Sequence, residues 1–408
     1  MTIKLHKSEV KKQSKLTITG SKSESNRLLL LQALYPELKI NNLSNSDDSK
    51  VMSKALVSTA DVIDIHHAGT AMRFLTAYFA CQEGREVILT GSDRMKERPI
   101  EILVTALNNL GADVSYLEQH GCPPLKIKGK KLINNKVRLQ ANVSSQYISA
   151  LLLIASGLEN GLELTLEGEI TSVPYIKMTL SLLNQAGVSS AFEGQVVTVK
   201  PKSKNRLTET LTVESDWSSA SYFFSVIALS PIDTQIALSF YKRNSLQGDA
   251  VLTEIYKEFG VSTSFNDNVM TLKKTHVITK QALSFELNGA PDIAQTIAVT
   301  CFGLGVECYL SGLHTLKIKE TDRLVALKTE LEKLGAQVDI TDNSLKLHRS
   351  SKIKTEISIS TYNDHRMAMA FAPLALKTTL NIDDHEVVSK SYPTFWNDLE
   401  TIGFRISK

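Results

Sequence analysis

A chain of 408 residues, 42% hydrophobic and 22% charged, has the composition of an ordinary globular protein, and its length suits two domains better than one core. Its net charge of +3 excludes the strong basic bias of a chain built for nucleic acid or a membrane surface, so any anion site must come from local clustering. The four cysteines, Cys81, Cys122, Cys301 and Cys308, show no CxxC pair and no His–Cys ligand spacing, which argues for buried free thiols in a reducing compartment.

The opening MTIKLHKSEVKKQ lacks the apolar core of a signal peptide. The longest apolar stretches, 147–158 and 293–310, are interrupted by Ser, Gln, Gly or Glu and fall short of a membrane span. A cytoplasmic protein is expected.

In chain order, the first element is a helix starting in Gly20-Ser21-Lys22-Ser23-Glu24-Ser25-Asn26-Arg27 and running into Leu28–Leu31. A helix start leaves backbone N–H groups unpaired and slightly positive, a natural seat for an anion. Lys22 and Arg27 add full charges, and Ser23 and Arg27, four apart, share one face. The alternative is a capped helix with solvated basic residues. DDSKVMSKALVSTADVIDI from Asp47 predicts a helix and a strand. HAGTAMRF follows with Gly69, Thr70 and Arg73, then SDRMKERP with Arg94, Lys96 and Arg98. The first permits close backbone approach, with Arg73 able to receive a phosphate or carboxylate, and the second concentrates cations, although a tight helix entry is the more common explanation of the first and solvated charges the usual one of the second.

Further helices are predicted from LVTALNNLGADVSYLE, SSQYISALLLIA, MTLSLLNQAGVSSAFEG, DWSSASYFFSVIAL, VLTEIYKEFGVSTSF, PDIAQTIAVTCF, LVALKTELEKLGAQVDI and FWNDLETIGFRIS. Five of these end at a glycine entering a short strand, namely Gly111, Gly187, Gly260, Gly335 and Gly403, an interval of about 75 residues. The stretch from Asp47 reads as a sixth, degraded copy without the glycine. A small α/β unit used about six times is implied. The polar run 200–210 marks a hairpin or boundary, so the chain divides near Glu214 and Ser215, with the first fifteen to twenty residues joining the second half.

Polar groups gather at the helix starts. Ser144, Ser145 and Gln146, with Ser172 and Tyr175, offer neutral hydrogen-bonding groups suited to sugar-like hydroxyls, or simply caps. Asp292 follows Pro291. Lys317, Lys319, Glu320, Asp322 and Arg323 crowd one strand-to-helix junction, where surface ion pairs are the plainer reading. Asn363-Asp364-His365-Arg366 opens another helix, and Lys390 precedes a Pro393 turn. The chain contains no GxxxxGK[ST] loop, no GxGxxG after a strand and no HExxH helix. This inventory points to a small, multiply charged substrate handled by acid–base chemistry, with no cofactor and no metal.

GSKSESNR, AGTAMR, RMKERP, SSQ, SVPY, DWSSASYF, RNSLQGD, PD at 291–292, KETDR and YNDHRMAMA occur in the order found in the 3-phosphoshikimate 1-carboxyvinyltransferase family, also called 5-enolpyruvylshikimate-3-phosphate synthases. The chain resembles that family from about Lys15 to Phe404. The resemblance implies an inside-out α/β barrel in two domains, each of three βαβαββ copies. They are expected at 20–214 and at 1–19 plus 215–408, with the active site in the cleft between them. It also implies transfer of the enolpyruvyl group of phosphoenolpyruvate to the 5-hydroxyl of shikimate 3-phosphate, by a monomer without nucleic-acid or membrane partners.

By motif, Lys22, Ser23, Arg27, Ser144, Ser145, Gln146, Ser172, Tyr175, Asp292, Thr315 and Lys319 correspond to the family's shikimate 3-phosphate contacts. Lys22, Gly69, Arg94, Gln146, Arg323, Arg366 and Lys390 correspond to its phosphoenolpyruvate contacts. Asp292 matches the base that takes the hydroxyl proton and Glu320 the proton donor and acceptor at the methylene carbon, with Lys22 as the third catalytic match. An open empty form and a closed liganded one are expected.

The chain departs from the family at Thr19, His67, Phe74 and Thr315, where Pro, Asn, Pro and Asn are usual. Gly69 resembles the form usually sensitive to glyphosate. The sister enzymes acting on UDP-N-acetylglucosamine commonly use a loop cysteine, which the stretch 90–99 lacks. A non-catalytic RNA-binding reading lacks RNP-type aromatic motifs.

Overall fold

A computed structural model describes residues 1–140, 144–168, 170, 173–202 and 210–408. They cluster into two compact units, Gly20–Val213, and Met1–Thr19 with Glu214–Lys408.

In the Gly20–Val213 unit, strand Val62–Asp64 runs parallel to Glu86–Thr90. That strand pairs antiparallel with Leu125–Lys128, which pairs antiparallel with Asp113–Tyr116. Lys136–Gln140, Leu162–Glu167, Val196–Val199 and Ser190–Glu193 repeat the order and senses. A parallel pair, Lys39–Asn41 with Thr210–Thr212, completes the strands described.

The other unit shows the same pattern three times. Its sheets are Gln13–Thr17, Gln235–Ser239, Val269–Lys274 and Val261–Asn266; Ala282–Glu286, Glu307–Ser311, Leu345–Leu347 and Val338–Ile340; and Ile357–Ile359, Leu380–Ile382, Ile3–His6 and Arg405–Ser407. One parallel pair followed by two antiparallel partners is the strand order of a βαβαββ copy, and it recurs five times among the described residues.

Burial separates two kinds of helix. Helices Lys22–Leu34, Gly69–Ala80 and Ser145–Ala155 pack on one another in the first unit. In the second, Ala294–Leu304 packs against both Trp217–Leu229 and His365–Phe371. Segments such as SQYISALLLIA and WSSASYFFSVIAL have apolar residues on every face, so they are stable only when enclosed. Strands such as Leu162–Glu167 instead alternate buried and half-exposed residues, one face against the helices. Helices therefore lie inside and sheets outside in each unit, the inside-out α/β arrangement.

The helices of the repeated glycine pattern are of the second kind, amphipathic and partly exposed, although the enclosed Ala294–Leu304 also ends at a left-handed glycine, Gly305. Gly111, Gly187, Gly335 and Gly403 all have positive φ. The following residue donates back five positions in each case, as Ala112 N–H to Leu107 O at 3.0 Å and Phe404 N–H to Leu399 O at 3.0 Å. This Schellman geometry pairs helix-end carbonyls and turns the chain into the next strand. One expected helix is interrupted: residues 248–259 form a 3-10 turn, one α turn at Leu252–Ile255 and a second 3-10 turn. Val251, Thr253, Ile255, Tyr256 and Phe259 are β-branched or aromatic, types that lose side-chain freedom in a regular helix. Among the described residues no helix is long and apolar enough to cross a membrane.

Candidate active site

Three helix starts in the second unit bring its charged residues together. Asp322 caps helix Arg323–Lys333 by accepting from Leu324 N–H and Val325 N–H at 3.1 and 3.2 Å. Asp364 caps His365–Phe371 by accepting from Arg366 N–H at 2.9 Å. Pro291, tolerated in the first turn because it lacks a donor, opens the 3-10 turn Pro291–Ile293 leading into Ala294–Leu304.

Arg323 is the hub. Its side chain is 2% exposed and reaches three carboxylates: Nε donates to Asp364 Oδ2 at 2.6 Å, Nη1 to Asp292 Oδ1 at 2.7 Å and Nη2 to Glu320 Oε2 at 2.8 Å. Lys319 Nζ lies 3.4 Å from Asp292 Oδ1. Arg366 approaches the other oxygen, with Nη2 donating to Asp292 Oδ2 at 3.3 Å and to Ser218 Oγ at 3.2 Å, and Nη1 to the Asp292 carbonyl at 3.2 Å.

Burial alone would raise the Asp292 pKa, but Arg366, Lys319 and Arg323 outweigh it and hold the group well below the usual carboxylate range. Burial pulls the Arg323 pKa down while Asp364, Glu320 and Asp292 push it further up, so it stays charged.

The chain enters this cluster through a turn in which Tyr362 and Asn363 both adopt left-handed φ, 53° and 55°, an unfavourable conformation for a side chain as large as Tyr. Buried Glu330 accepts from Tyr362 Oη at 2.6 Å and from Ser360 N–H at 3.1 Å. Lys390 Nζ donates to the Asn363 carbonyl at 2.6 Å. These contacts secure the loop that delivers Asp364 and Arg366. Thr315 sits in the 3-10 turn His314–Ile318, and its buried Oγ1 has no hydrogen-bond partner among the described residues.

The first unit carries its own cluster, centred on Arg27. Its Nε donates to Thr179 Oγ1 at 2.8 Å, Nη2 to Ser149 Oγ at 2.9 Å and Nη1 to the Ser23 carbonyl at 2.8 Å. The rings of Phe74 and Tyr175 lie 5.5 and 6.0 Å from the guanidinium carbon. One side chain thus touches helices Lys22–Leu34, Gly69–Ala80, Ser145–Ala155 and Val173–Gln185. Burial pulls its pKa down to about 10, and it remains a cation at neutral pH. Lys22 Nζ is 3.1 Å from Asp48 Oδ2.

Gln146 Nε2 donates to Thr70 Oγ1 at 3.1 Å, joining two helix starts. Ser144 caps helix Ser145–Ala155, accepting from Gln146 N–H at 3.3 Å, and Ser145 is buried in the first turn. Gly69 opens helix Gly69–Ala80, where a Cβ would meet Arg98 Nη1 at 2.5 Å. Arg94 is exposed and pairs with Glu97 at 2.8 Å. Ser172 lies outside the described residues.

The structure therefore brings together Asp292, Lys319, Glu320, Arg323 and Arg366 in one unit, and Ser23, Arg27 and Tyr175 in the other. Several supporting residues had no role assigned from sequence: Asp364, Ser218, Asp249 and Glu330 in the second unit, and Asp48, Ser149 and Thr179 in the first. Asp364 and Asp249 lie in the motifs NDHR and QGD, and only their partners, far along the chain, reveal them. Among the described residues no three of His, Cys, Asp or Glu gather into a metal site.

Comparison with known proteins supplies the family. The model of the EPSP synthase (3-phosphoshikimate 1-carboxyvinyltransferase) family matches residues 54–399. A 3-phosphoshikimate 1-carboxyvinyltransferase of Bacteroides fragilis is 46% identical over 396 residues, covering 96% of this chain and 95% of the relative. The chain belongs to the EPSP synthase family. A more distant relative of the same name, from Haemophilus influenzae, is 36% identical over 420 residues, covering 95% of this chain and 96% of its own. The fold is that of EPSP synthase from Acinetobacter baumannii, with a TM-score of 0.80 at 20% identity and full coverage of both chains. The enolpyruvyl transferase NikO from Streptomyces tendae shares it at a TM-score of 0.74 and 13% identity, over 100% of this chain and 98% of that one.

Proposed function

We propose that the protein transfers the enolpyruvyl group of phosphoenolpyruvate to the 5-hydroxyl of shikimate 3-phosphate, releasing phosphate, in the shikimate pathway that leads to aromatic amino acids. The observation that carries this reading, in a chain of the EPSP synthase family, is the Asp292 carboxylate held between Arg323, Arg366 and Lys319, with Glu320 on the far side of the same Arg323.

The reaction needs two proton carriers, because the attacking hydroxyl loses a proton while the methylene carbon of the enol gains one. Asp292 takes the hydroxyl proton, and Glu320 gives a proton to the methylene carbon, then takes one back from the resulting methyl as the C–O bond to phosphate breaks and the enol double bond re-forms. Arg323 fixes the spacing of the two carboxylates without joining the transfer. In the tetrahedral intermediate the phosphate leaves as an anion, and Lys22, Arg94, Arg323, Arg366 and Lys390 stabilise its charge. Arg27, Ser144, Ser145, Gln146, Ser172, Tyr175 and Thr315 hold shikimate 3-phosphate. The unpartnered Thr315 hydroxyl supports its share of that task.

Ligand binding also tunes the base. Once an anionic substrate shares Arg366 and Lys319, the field that depresses Asp292 weakens and its basicity rises. The protein acts in the cytoplasm as a monomer.

The decisive experiment measures phosphate release from phosphoenolpyruvate, with shikimate 3-phosphate and UDP-N-acetylglucosamine offered separately. Release is expected only with shikimate 3-phosphate, and Asp292→Ala should lower it by about 100-fold or more, the scale of a lost general base. Release with the nucleotide sugar alone would move the chain to the sister reaction.

A further inference from the structure

Asp249 is 3% exposed, yet no Lys, Arg or His lies within ion-pair distance of it among the described residues. One oxygen, Oδ2, accepts from the Ser218 hydroxyl, and the other, Oδ1, has no partner. Such a buried carboxylate is costly, and proteins keep costly groups where geometry must be held.

Its turn is bolted to the start of helix Trp217–Leu229. The neighbouring Gln247 accepts from Trp217 N–H at 2.9 Å and donates to the Ser215 carbonyl at 2.9 Å. Ser218 has one proton, given to Asp249, so its lone pairs face the Arg366 Nη2 donor at 3.2 Å. The same Nη2 reaches Asp292 Oδ2. A single file therefore runs Asp249–Ser218–Arg366–Asp292, from a buried carboxylate to the proposed base.

We propose that Asp249 is a positioning residue: by fixing the Ser218 hydroxyl it orients the Arg366 guanidinium for phosphoenolpyruvate and sets that guanidinium against Asp292. Without the Asp249 acceptor, the Ser218 hydroxyl loses the contact that fixes it, and its oxygen no longer holds the Arg366 guanidinium in one orientation. The inference rests on the reaction proposed above and on Arg366 as a phosphoenolpyruvate contact.

The test compares the wild-type protein with Asp249→Ala, Ser218→Ala, the double variant and Asp249→Asn, measuring kcat, KM for each substrate and thermal unfolding. Asp249→Ala and Ser218→Ala should each raise the phosphoenolpyruvate KM by about tenfold and move the shikimate 3-phosphate KM by no more than about twofold. The double variant should be no worse than either single one, because both break one file. Asp249→Asn keeps an acceptor for Ser218 and should restore the phosphoenolpyruvate KM to within about threefold of wild type. An unmoved phosphoenolpyruvate KM, or additive losses in the double variant, would overturn the proposal. So would a parallel rise of both KM values with a lowered unfolding temperature, which marks a merely structural role. If Asp249→Ala does not fold, the half-buried Ser218→Ala carries the comparison. Wild-type protein inactive with both substrates would instead refute the reaction, a result no relay variant can mimic.

Discussion

Arg323 is tolerable in a buried position because three carboxylates surround it, and Asp364, itself fully buried, is compensated by Arg323 together with the Arg366 N–H that it caps. Arg323→Gln should therefore cost about 3–5 kcal/mol of stability, since removing one partner strands the others. Denaturant unfolding checks this, and a loss below about 1 kcal/mol would mean that the carboxylates find other partners or take up protons. Asp249 gives the opposite sign. Burial raises its pKa to about 6 against Arg366 and Ser218, which lower it, with Asp292 and Asp216 adding to the rise. The folded protein thus binds more protons there than the unfolded chain between an ordinary Asp pKa of about 3.9 and about 6. The stability this group contributes is fully present below that window and is lost as pH rises through it. Asp249→Asn should therefore gain stability relative to wild type as pH rises from about 4 to 7, by up to about 3 kcal/mol. Unfolding at a series of pH values checks the slope, and a constant difference would refute it. Of these pairings only Glu320 with Arg323 was legible in the sequence. KETDR places Glu320 beside Arg323, but Asp364 lies 41 residues further along the chain, and which of many carboxylates meets a given guanidinium is decided by packing.

Elements were more legible, because their signals are local. Polar starts followed by apolar bodies marked 145–155 and 217–229 as helices, though not as enclosed ones, and the recurrent glycines marked helix ends. The interrupted segment 248–259 was not legible, since its apolar spacing suits a helix while its β-branched and aromatic residues weaken one. The glycines themselves divide by surroundings. At Gly335 a Cβ meets nothing closer than 3.7 Å, so Gly335→Ala should cost only the left-handed backbone penalty, about 1–2 kcal/mol. At Gly403, with φ 120°, a Cβ would stand 2.6 Å from the Glu9 carbonyl, and the backbone must shift as well. Gly403→Ala should lose more stability than Gly335→Ala in denaturant titrations. Equal losses would show that the Glu9 loop yields freely.

At the scale of the whole molecule, the Gly20–Val213 unit is one continuous stretch of chain, whereas the other needs both ends of the sequence. A fragment of residues 20–213 should fold alone with a cooperative transition. Deleting residues 1–6 should abolish the cooperative unfolding of the second unit, because Ile3–His6 is an interior strand flanked by Leu380–Ile382 and Arg405–Ser407. Circular dichroism and denaturant titration of the two truncations check both outcomes. With ligands, X-ray scattering should show a more compact particle when both substrates are present. An unchanged radius of gyration would count against closure.

That interior strand also sets a schedule. Ile3–His6 leaves the ribosome long before its partners at 380–382 and 405–407. At cellular elongation rates of about 5–20 residues per second, the strand waits tens of seconds before its neighbours exist. The intervening unit has all its own residues meanwhile and can mature on the nascent chain. The waiting strand is only four residues long and carries Lys4 and His6, which makes it a poor template for pairing with another nascent chain. An early segment of the polypeptide thus closes a sheet whose flanking strands are made some 375 residues or more later.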